Sequence, residues 1–181
     1  MSDSFDSSQP RKLLHRRTIT AEGYLREDGL YDIEGWLQDV KGEDFHVGGH
    51  ITPAGDPIHT MGLRLVVDSG MVIREAEART LHRPYEGVCE NITPRYAELE
   101  GIQIAPGFTL KVRERLGGVR GCTHLTELVS ILATVAFQTC RPGVDTDGDR
   151  VPPHLDGCHA LTRDGSVVAR FYPRWRRSKD D

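Results

Sequence analysis

The segment GGVRGCTHLTEL, residues 117–128, leads into the longest apolar run of the chain, which ends at Cys140. Three glycines within five residues predict a loop that can adopt positive φ angles. Apolar side chains then recur every three or four positions, and the opposite side of the segment is also largely apolar. We therefore expect a helix that is buried on most of its surface. Its first residues would present unpaired backbone N–H groups and the positive end of the helix dipole. We therefore expect a catalytic or ligand-binding site at the start of this helix.

A first β-hairpin is predicted over residues 18–40, upstream of this helix. Its centre, Asp28-Gly29, is typical of a two-residue turn. With that turn, Asp32 and Glu34 would lie on the same face as the apolar side chains of the first strand. Such a pair of carboxylates could supply an acid and a base, or it could belong to a half-solvated sheet.

A second hairpin is predicted over residues 58–80, with a turn at residues 68–70. Alternation of side chains places one row on the core face of its first strand. This row contains His59, Met61, Leu63, Leu65 and Val67. His59 opens the row at the rim of the core, where a histidine could serve in a site or could be a satisfied core residue.

These elements predict the α+β class, with an antiparallel sheet of hairpins and one long buried helix packed across it. We expect residues 1–15 to be a disordered N-terminal segment, residues 16–173 to form a single α+β domain and residues 174–181 to be a charged tail. A last small hairpin is predicted over residues 159–172. The connection at residues 41–57 contains two histidines and could be a lid over a site or a plain connection.

The composition excludes several classes of function. Of the 181 residues 28% are charged, and the formal net charge of −4 offers no basic surface for nucleic acid. No apolar segment approaches the roughly 20 residues that span a bilayer, and no secretory signal is recognisable. The four cysteines contain no Cys-x-x-Cys pair, so we expect free thiols and a cytoplasmic location.

Several ordered blocks of residues form a signature over residues 16–140. They are Arg16-Arg17, Glu22-Gly23-Tyr24-x-Arg26-x-Asp28-Gly29-Leu30, Asp39-x-Lys41, Pro57-Ile58-His59-x-Met61, Gly117-Gly118-x-x-Gly121-Cys122-Thr123-His124-Leu125-x-Glu127-Leu128 and Phe137-Gln138. Together they resemble an uncharacterised bacterial family that is catalogued only as a domain of unknown function. The resemblance implies little about function beyond an association with the breakdown of aromatic compounds.

A second resemblance concerns the order of the elements. The order of features resembles that of the iron–sulfur cluster scaffold proteins. It consists of a hairpin, a ligand-type residue entering a strand, a cysteine in the middle loop and a cysteine opening the last long helix. The resemblance would place His59, Cys89 and Cys122 at three ligand positions. The sequence departs from it because His59 replaces a cysteine and Gly121 replaces a histidine. One nitrogen and two sulfurs, completed by His124 or a carboxylate, suit zinc better than a cluster.

Our first hypothesis is an enzyme that acts on a small molecule, with His59 and His124 as the acid–base pair. Cys122 would be a nucleophile or a metal ligand, since the start of a helix favours a thiolate. It can converge with His124 only if residues 121–123 are still part of the loop. The side chains expected to hold a phenol or a carboxylate of the substrate are Tyr24, Arg26 and Arg64.

No nucleotide-binding motif is present, which favours a lyase, hydrolase or isomerase without a redox cofactor, and the aromatic association favours the lyase. In a second hypothesis the protein carries zinc or an iron–sulfur cluster through His59, Cys89 and Cys122. In a third it is a non-catalytic module whose glycine-rich loop holds an anionic ligand. We expect a small-molecule substrate as the partner, leave a homo-oligomer open, and expect no nucleic acid, membrane or resident cofactor.

Overall fold

Long antiparallel strands form the main sheet of the computed structural model, which describes residues 8–140 and 150–177. In chain order the strands are β1 (His15–Leu25), β2 (Tyr31–Lys41), β3 (Phe45–Val47), β4 (His50–Thr52), β5 (Pro57–Val67) and β6 (Ile73–His82). The main sheet has the order β1-β2-β5-β6, and β3 pairs with β4 in a separate short hairpin.

One helix covers a face of this sheet. From β6 the chain passes through a 3-10 segment, Cys89–Leu99, and helix α1 (Phe108–Leu116) to helix α2 (Thr123–Thr139). Helix α2 lies against β1, β2 and β5. Gly35 of β2 permits this close packing, because a Cβ there would lie 2.7 Å from Cδ2 of Leu132. The buried side chains of α2 form one stripe, made of Leu125, Leu128, Val129, Leu132 and Ala136.

The core lies between α2 and the sheet face that α2 covers, which we call the inner face; the opposite face is the outer face. The inner-face side chains of β2 and β5 that are buried there are Ile33, Leu37, Met61, Leu63, Leu65 and Val67. The row predicted on β5 and the α+β class are thereby confirmed. None of the described helices is both long and apolar enough to cross a membrane.

The turn between β1 and β2 differs from the prediction. The N–H of Arg26 donates to the carbonyl oxygen of Leu30 at 2.8 Å, so the loop has three residues and not two. Its glycine adopts the left-handed conformation, with φ of 83°, that such a loop uses. Tyr24 therefore lies opposite Asp32. Because a shift of one residue moves every side chain to the other face, Asp32 and Glu34 lie on the outer face, and their predicted placement with the apolar side chains of β1 is wrong.

The chain divides into two compact units, Met1–Cys140 and Arg141–Asp181, and this boundary falls inside the predicted domain of residues 16–173. Residues 1–7 and 178–181, parts of the predicted terminal segments, lie outside the described residues. The first strand already begins at the last residue of the segment expected to be disordered.

In the second unit, the described residues contain helix α3 (Ser166–Phe171) and 3-10 turns but no strand. The hairpin predicted over residues 159–172 is wrong. The N–H of Ala169 donates to the carbonyl oxygen of Gly165 at 3.0 Å, which is a helical contact four residues apart. Val168 is buried at the centre of this turn, so packing overrides the β-propensity of its valines.

Candidate functional site

Three side chains lie in a line across one end of the inner face. Antiparallel pairing places Arg17 of β1 opposite Asp39 of β2, and Asp39 opposite His59 of β5. Because alternate residues share a face, all three lie on the side of the buried apolar row. The first turn of α2 adds His124, whose Nε2 lies 3.5 Å from Oδ2 of Asp39. We call Arg17, Asp39, His59 and His124 the inner cluster.

Asp39 is the centre of the inner cluster and is only 1% exposed. Nε and Nη2 of Arg17 donate to Oδ1 and Oδ2 of Asp39, both at 2.8 Å, in a bidentate contact. Nδ1 of His59 lies 3.1 Å from Oδ2, and Nε2 of His15 lies 3.2 Å from Oδ1. Burial acts to raise the pKa of Asp39, but the hydrogen bonds and charge of Arg17 outweigh burial, so the pKa lies below its ordinary value. The carboxylate is therefore ionised at neutral pH.

The rings of His59 and His124 lie beside one another, with centroids 3.9 Å apart and planes inclined by 34°. Burial lowers the pKa of both, because a charged ring loses its hydration. For His124 the positive charges of His59 and Arg17 act in the same direction, and the pKa falls to about 4. Both rings are thus neutral at pH 7. A proton on Nδ1 of His59 would donate to Asp39 and leave Nε2 as an acceptor.

Cys122 joins the site at the N-terminus of α2. Its Sγ lies 3.8 Å from Nδ1 of His124 and 3.7 Å from Sδ of Met61. Cys122 is the N-cap and has extended backbone angles, so the loop lasts long enough for its side chain to converge with His124. Tyr96, fully buried, holds this helix end in place because its hydroxyl accepts from the N–H of Cys122 at 3.0 Å.

The glycine-rich loop before Cys122 is needed mainly for close packing. Only Gly118 has a positive φ, 61°. A Cβ at Gly117 would lie 2.3 Å from the carbonyl oxygen of Arg113, and one at Gly121 would lie 2.2 Å from that of Leu116. The three glycines therefore let the chain turn tightly between α1 and α2.

A family model described as a protein of unknown function, DUF2889, matches residues 15–138. The chain belongs to the DUF2889 family. The predicted resemblance to a family catalogued only as a domain of unknown function is thereby confirmed. The matched range contains the whole inner cluster. No curated protein and no solved structure matches the chain, so the similarity to iron–sulfur scaffold proteins stays a prediction.

The DUF2889 chain does not bring the predicted substrate-binding residues to the inner cluster. Tyr24 and Arg64 lie on the outer face, because they pair with outer-face residues of β2. Arg26 lies in the β1–β2 loop and forms two hydrogen bonds with Asp28. Strand alternation thus separates Tyr24 and Arg64 from His59, and Arg26 is separated from it by its position in the loop.

The predicted metal ligands His59, Cys89 and Cys122 are also not brought together as one set. Among the described residues, one group of three or more His, Cys, Asp or Glu side chains has ligand atoms within 4.8 Å of one another. That group is Asp39, His59 and His124. Cys89 lies at the start of the 3-10 segment and is not a member of that group.

Sequence reasoning missed Asp39 and Arg17 as site residues. Both stood in the blocks that carried the family resemblance, without an assigned role. A signal for Asp39 was present, because it follows Ile33, Gly35 and Leu37 in the same two-residue alternation and so falls on the inner face. A carboxylate at such a position is rarely buried without a partner.

Proposed function

We propose that this DUF2889 protein is an enzyme, a lyase that acts on an aromatic catabolite without a redox cofactor. The observation that carries the proposal is the convergence of His59 and His124 on the buried carboxylate of Asp39, with ring centroids 3.9 Å apart. A hydrolase or an isomerase would use the same pair, and the lyase is preferred because the sequence analysis associates the family with the breakdown of aromatic compounds.

His59 is the general base in this proposal. Its Nδ1 faces Asp39, which would stabilise the imidazolium that forms when Nε2 accepts a proton from the substrate. The electron pair of the broken C–H bond then forms a new C=C double bond. At the same time the bond to the leaving group breaks, and the leaving group departs with the electron pair of that bond. His124 is neutral; with its single proton on Nδ1, the nitrogen that does not face Asp39, it can donate a hydrogen bond to the negative charge that develops.

Cys122 distinguishes the lyase from a hydrolase. Its thiol, the imidazole of His124 and the carboxylate of Asp39 follow one another in the order of a cysteine triad. A hydrolase would use Sγ as the nucleophile, whereas an elimination needs only the histidines. Cys122→Ala should therefore abolish a hydrolase reaction and leave a lyase reaction largely intact.

A groove at the same end of β5 has the size and apolar surface for an aromatic ring, although no side chain of the inner cluster is among its lining residues. It has a volume of about 660 Å³ and lies between the β3–β4 hairpin and residues 81–88, within the roughly 300–1,000 Å³ typical of small-molecule sites. Leu81, Tyr85 and Val88 line it and are exposed, so they offer apolar surface to an aromatic ring.

The experiment is a turnover assay over a panel of substituted phenols and aromatic carboxylic acids, followed by mass spectrometry. We expect the wild type to consume at least one compound, and His59→Gln and His124→Gln each to lower turnover by about 10²-fold or more. His159→Gln, at an exposed position of the second unit, is the matched control and should retain activity. Full activity in both cluster variants at unchanged melting temperature would refute the acid–base assignment.

Metal binding is the second candidate, favoured by the ligand atoms of Asp39, His59 and His124 within 4.8 Å of one another. Two nitrogens and one oxygen suit Zn²⁺ or another divalent transition metal. Arg17 weighs against it, because its fork already occupies both oxygens of Asp39. Calorimetry with Zn²⁺ decides: binding that disappears in His59→Gln and His124→Gln would favour the metal, and no binding would leave the acid–base enzyme.

Two further expectations belong to this proposal. Cys89, Cys122 and Cys158 are free thiols, which supports a cytoplasmic location. If the protein is instead a non-catalytic module, compounds of the same panel would raise its melting temperature without being consumed.

A further inference from the structure

Strand β1 is an edge of the main sheet, and no described strand pairs with its outer side. It is eleven residues long, contains no proline and pairs with β2 without a bulge. All but two of its residues are exposed. Natural proteins usually protect such an edge by proline, bulges, charged side chains or a covering element, because an open edge can pair with another strand. Of these, β1 has charged side chains, and its outer-face charges, Arg16 and Glu22, are of opposite sign.

The hydrogen-bonding direction of each β1 residue follows from the two ends of its ladder. The carbonyl oxygen of Leu14 accepts from the N–H of Gly42, and the N–H of Arg26 donates to Leu30. In an antiparallel pair, residues that bond to the partner alternate with residues that point away from it. Even-numbered residues of β1 therefore bond to β2, and the odd-numbered residues from His15 to Leu25 point their N–H and C=O groups outward.

We propose that two copies of this chain form a dimer by pairing β1 with β1, antiparallel, around a two-fold axis at Ile19. The outward N–H and C=O groups of Ile19 would then bond to those of Ile19 in the second copy. The two sheets would join into one sheet of eight strands, with both α2 helices on the same face. This inference does not rest on the proposed function.

The side chains select this register by their complementarity. On the outer face Arg16 would lie opposite Glu22 of the second copy, and the symmetry repeats this pair of opposite charges. The exposed apolar side chains at the ends would also meet, with Leu14 opposite Tyr24 and Leu13 opposite Leu25. Cross-strand pairs of these kinds stabilise a sheet, whereas like charges directly opposite one another destabilise it.

Neighbouring registers that keep the faces aligned lose these contacts. With the axis at Thr20, Leu14 would lie opposite Arg26 and Glu22 opposite Thr18. With the axis at Thr18, Leu14 would lie opposite Glu22. Only the axis at Ile19 joins every charged outer-face residue of β1 to an opposite charge and every exposed leucine to an apolar side chain.

The interface would adjoin the inner cluster, because Arg17 and His15 are β1 residues. In the proposed register Ala21 of the second copy lies opposite Arg17, and Gly23 of the second copy lies opposite His15. The backbone of one copy would therefore form a wall beside the cluster of the other.

Sedimentation velocity over a wide range of protein concentration tests the dimer. We expect Arg16→Glu and Glu22→Arg each to raise the dissociation constant by at least about tenfold, since each creates two like-charged pairs. The double variant Arg16→Glu/Glu22→Arg restores opposite charges and should return to within about threefold of the wild type, on the same grounds. Lys111→Glu, at an exposed position of α1, is the control and should dimerise like the wild type.

Circular dichroism checks that each variant is folded, and Arg16→Gln with Glu22→Gln repeats the test with smaller changes if a reversed charge disturbs the strand. A wild type that stays monomeric at the highest concentration would overturn the proposal. So would a dimer that the single variants leave unchanged, or a double variant as dissociated as the single ones.

Discussion

The two faces of the main sheet carry arginine–carboxylate pairs of the same composition in different surroundings. On the inner face Arg17 binds Asp39 through two hydrogen bonds of 2.8 Å. On the outer face Arg64 reaches Asp32 at 3.2 Å and also contacts Glu75. The side chain of Asp39 is 2% exposed, whereas that of Asp32 is 23% exposed. The two pairs have the same residue types and differ in their burial. Because α2 packs over the inner face, the inner pair is shielded from water and lies beside two neutral histidines.

Helix α2 buries the inner face, so truncating one of the buried side chains of α2 should have the largest effect on stability. Leu132→Ala is expected to lower the free energy of unfolding by about 2–5 kcal/mol, since Leu132 is fully buried between α2 and β2. Leu110→Ala, at an exposed position of α1, should cost less than about 0.5 kcal/mol. Urea unfolding measures both, and equal losses would show that α2 does not form the core.

The two ion pairs can be compared directly by neutralising each carboxylate. Asp39→Asn leaves the guanidinium of Arg17 without its buried partner and should cost about 3 kcal/mol. Asp32→Asn removes one contact from a network open to water and should cost less than about 1 kcal/mol. The same urea assay applies, and a reversed order of the two losses would contradict the contrast between the faces.

The depressed pKa of His124 makes the inner face sensitive to acid. The ring has a pKa near 6.5 in the unfolded chain and about 4 in the folded protein, so protonation favours unfolding. Stability should be fully present above pH 6.5 and should fall between pH 6.5 and pH 4 by up to about 3 kcal/mol. His124→Gln should remove most of this slope, as measured by unfolding at several pH values. If His124→Gln keeps the same dependence of stability on pH, a titratable group other than His124 causes it.

Activity should follow the same ionisations. Because burial lowers the pKa of both His59 and His124, the acid limb of kcat/KM should lie below pH 6.5, the ordinary pKa of a histidine. A limb at or above that value would indicate a base outside the inner cluster. The measurement needs only the substrate identified in the turnover assay.

Local pattern predicts the elements of this protein better than it predicts their register. The period of residues 123–139 and the alternating row from His59 were sufficient to predict α2 and the inner face of β5. The three-residue loop after Arg26 was not, because Asp28-Gly29 fits loops of either length and only the assembled sheet selects one.

The candidate site was predictable only in its histidines. His59 and His124 each lie at the end of a predicted element, and this position was sufficient to predict them as site residues. Arg17 and Asp39 became visible through the pairing of β1, β2 and β5, which depends on contacts far apart in the sequence. The side chains predicted to bind the substrate fell on the outer face for the same reason.

The central claim is that two neutral histidines converge on the buried carboxylate of Asp39. It is tested most directly by following the ring protons of His59 and His124 by NMR as a function of pH, in the wild type and in Asp39→Asn. The account predicts a pKa of about 4 for His124 and a pKa below 6.5 for His59. In Asp39→Asn both should fall further, because the charge of Asp39 acts to raise them. Titration of both rings near pH 6.5, unchanged by the substitution, would contradict the cluster.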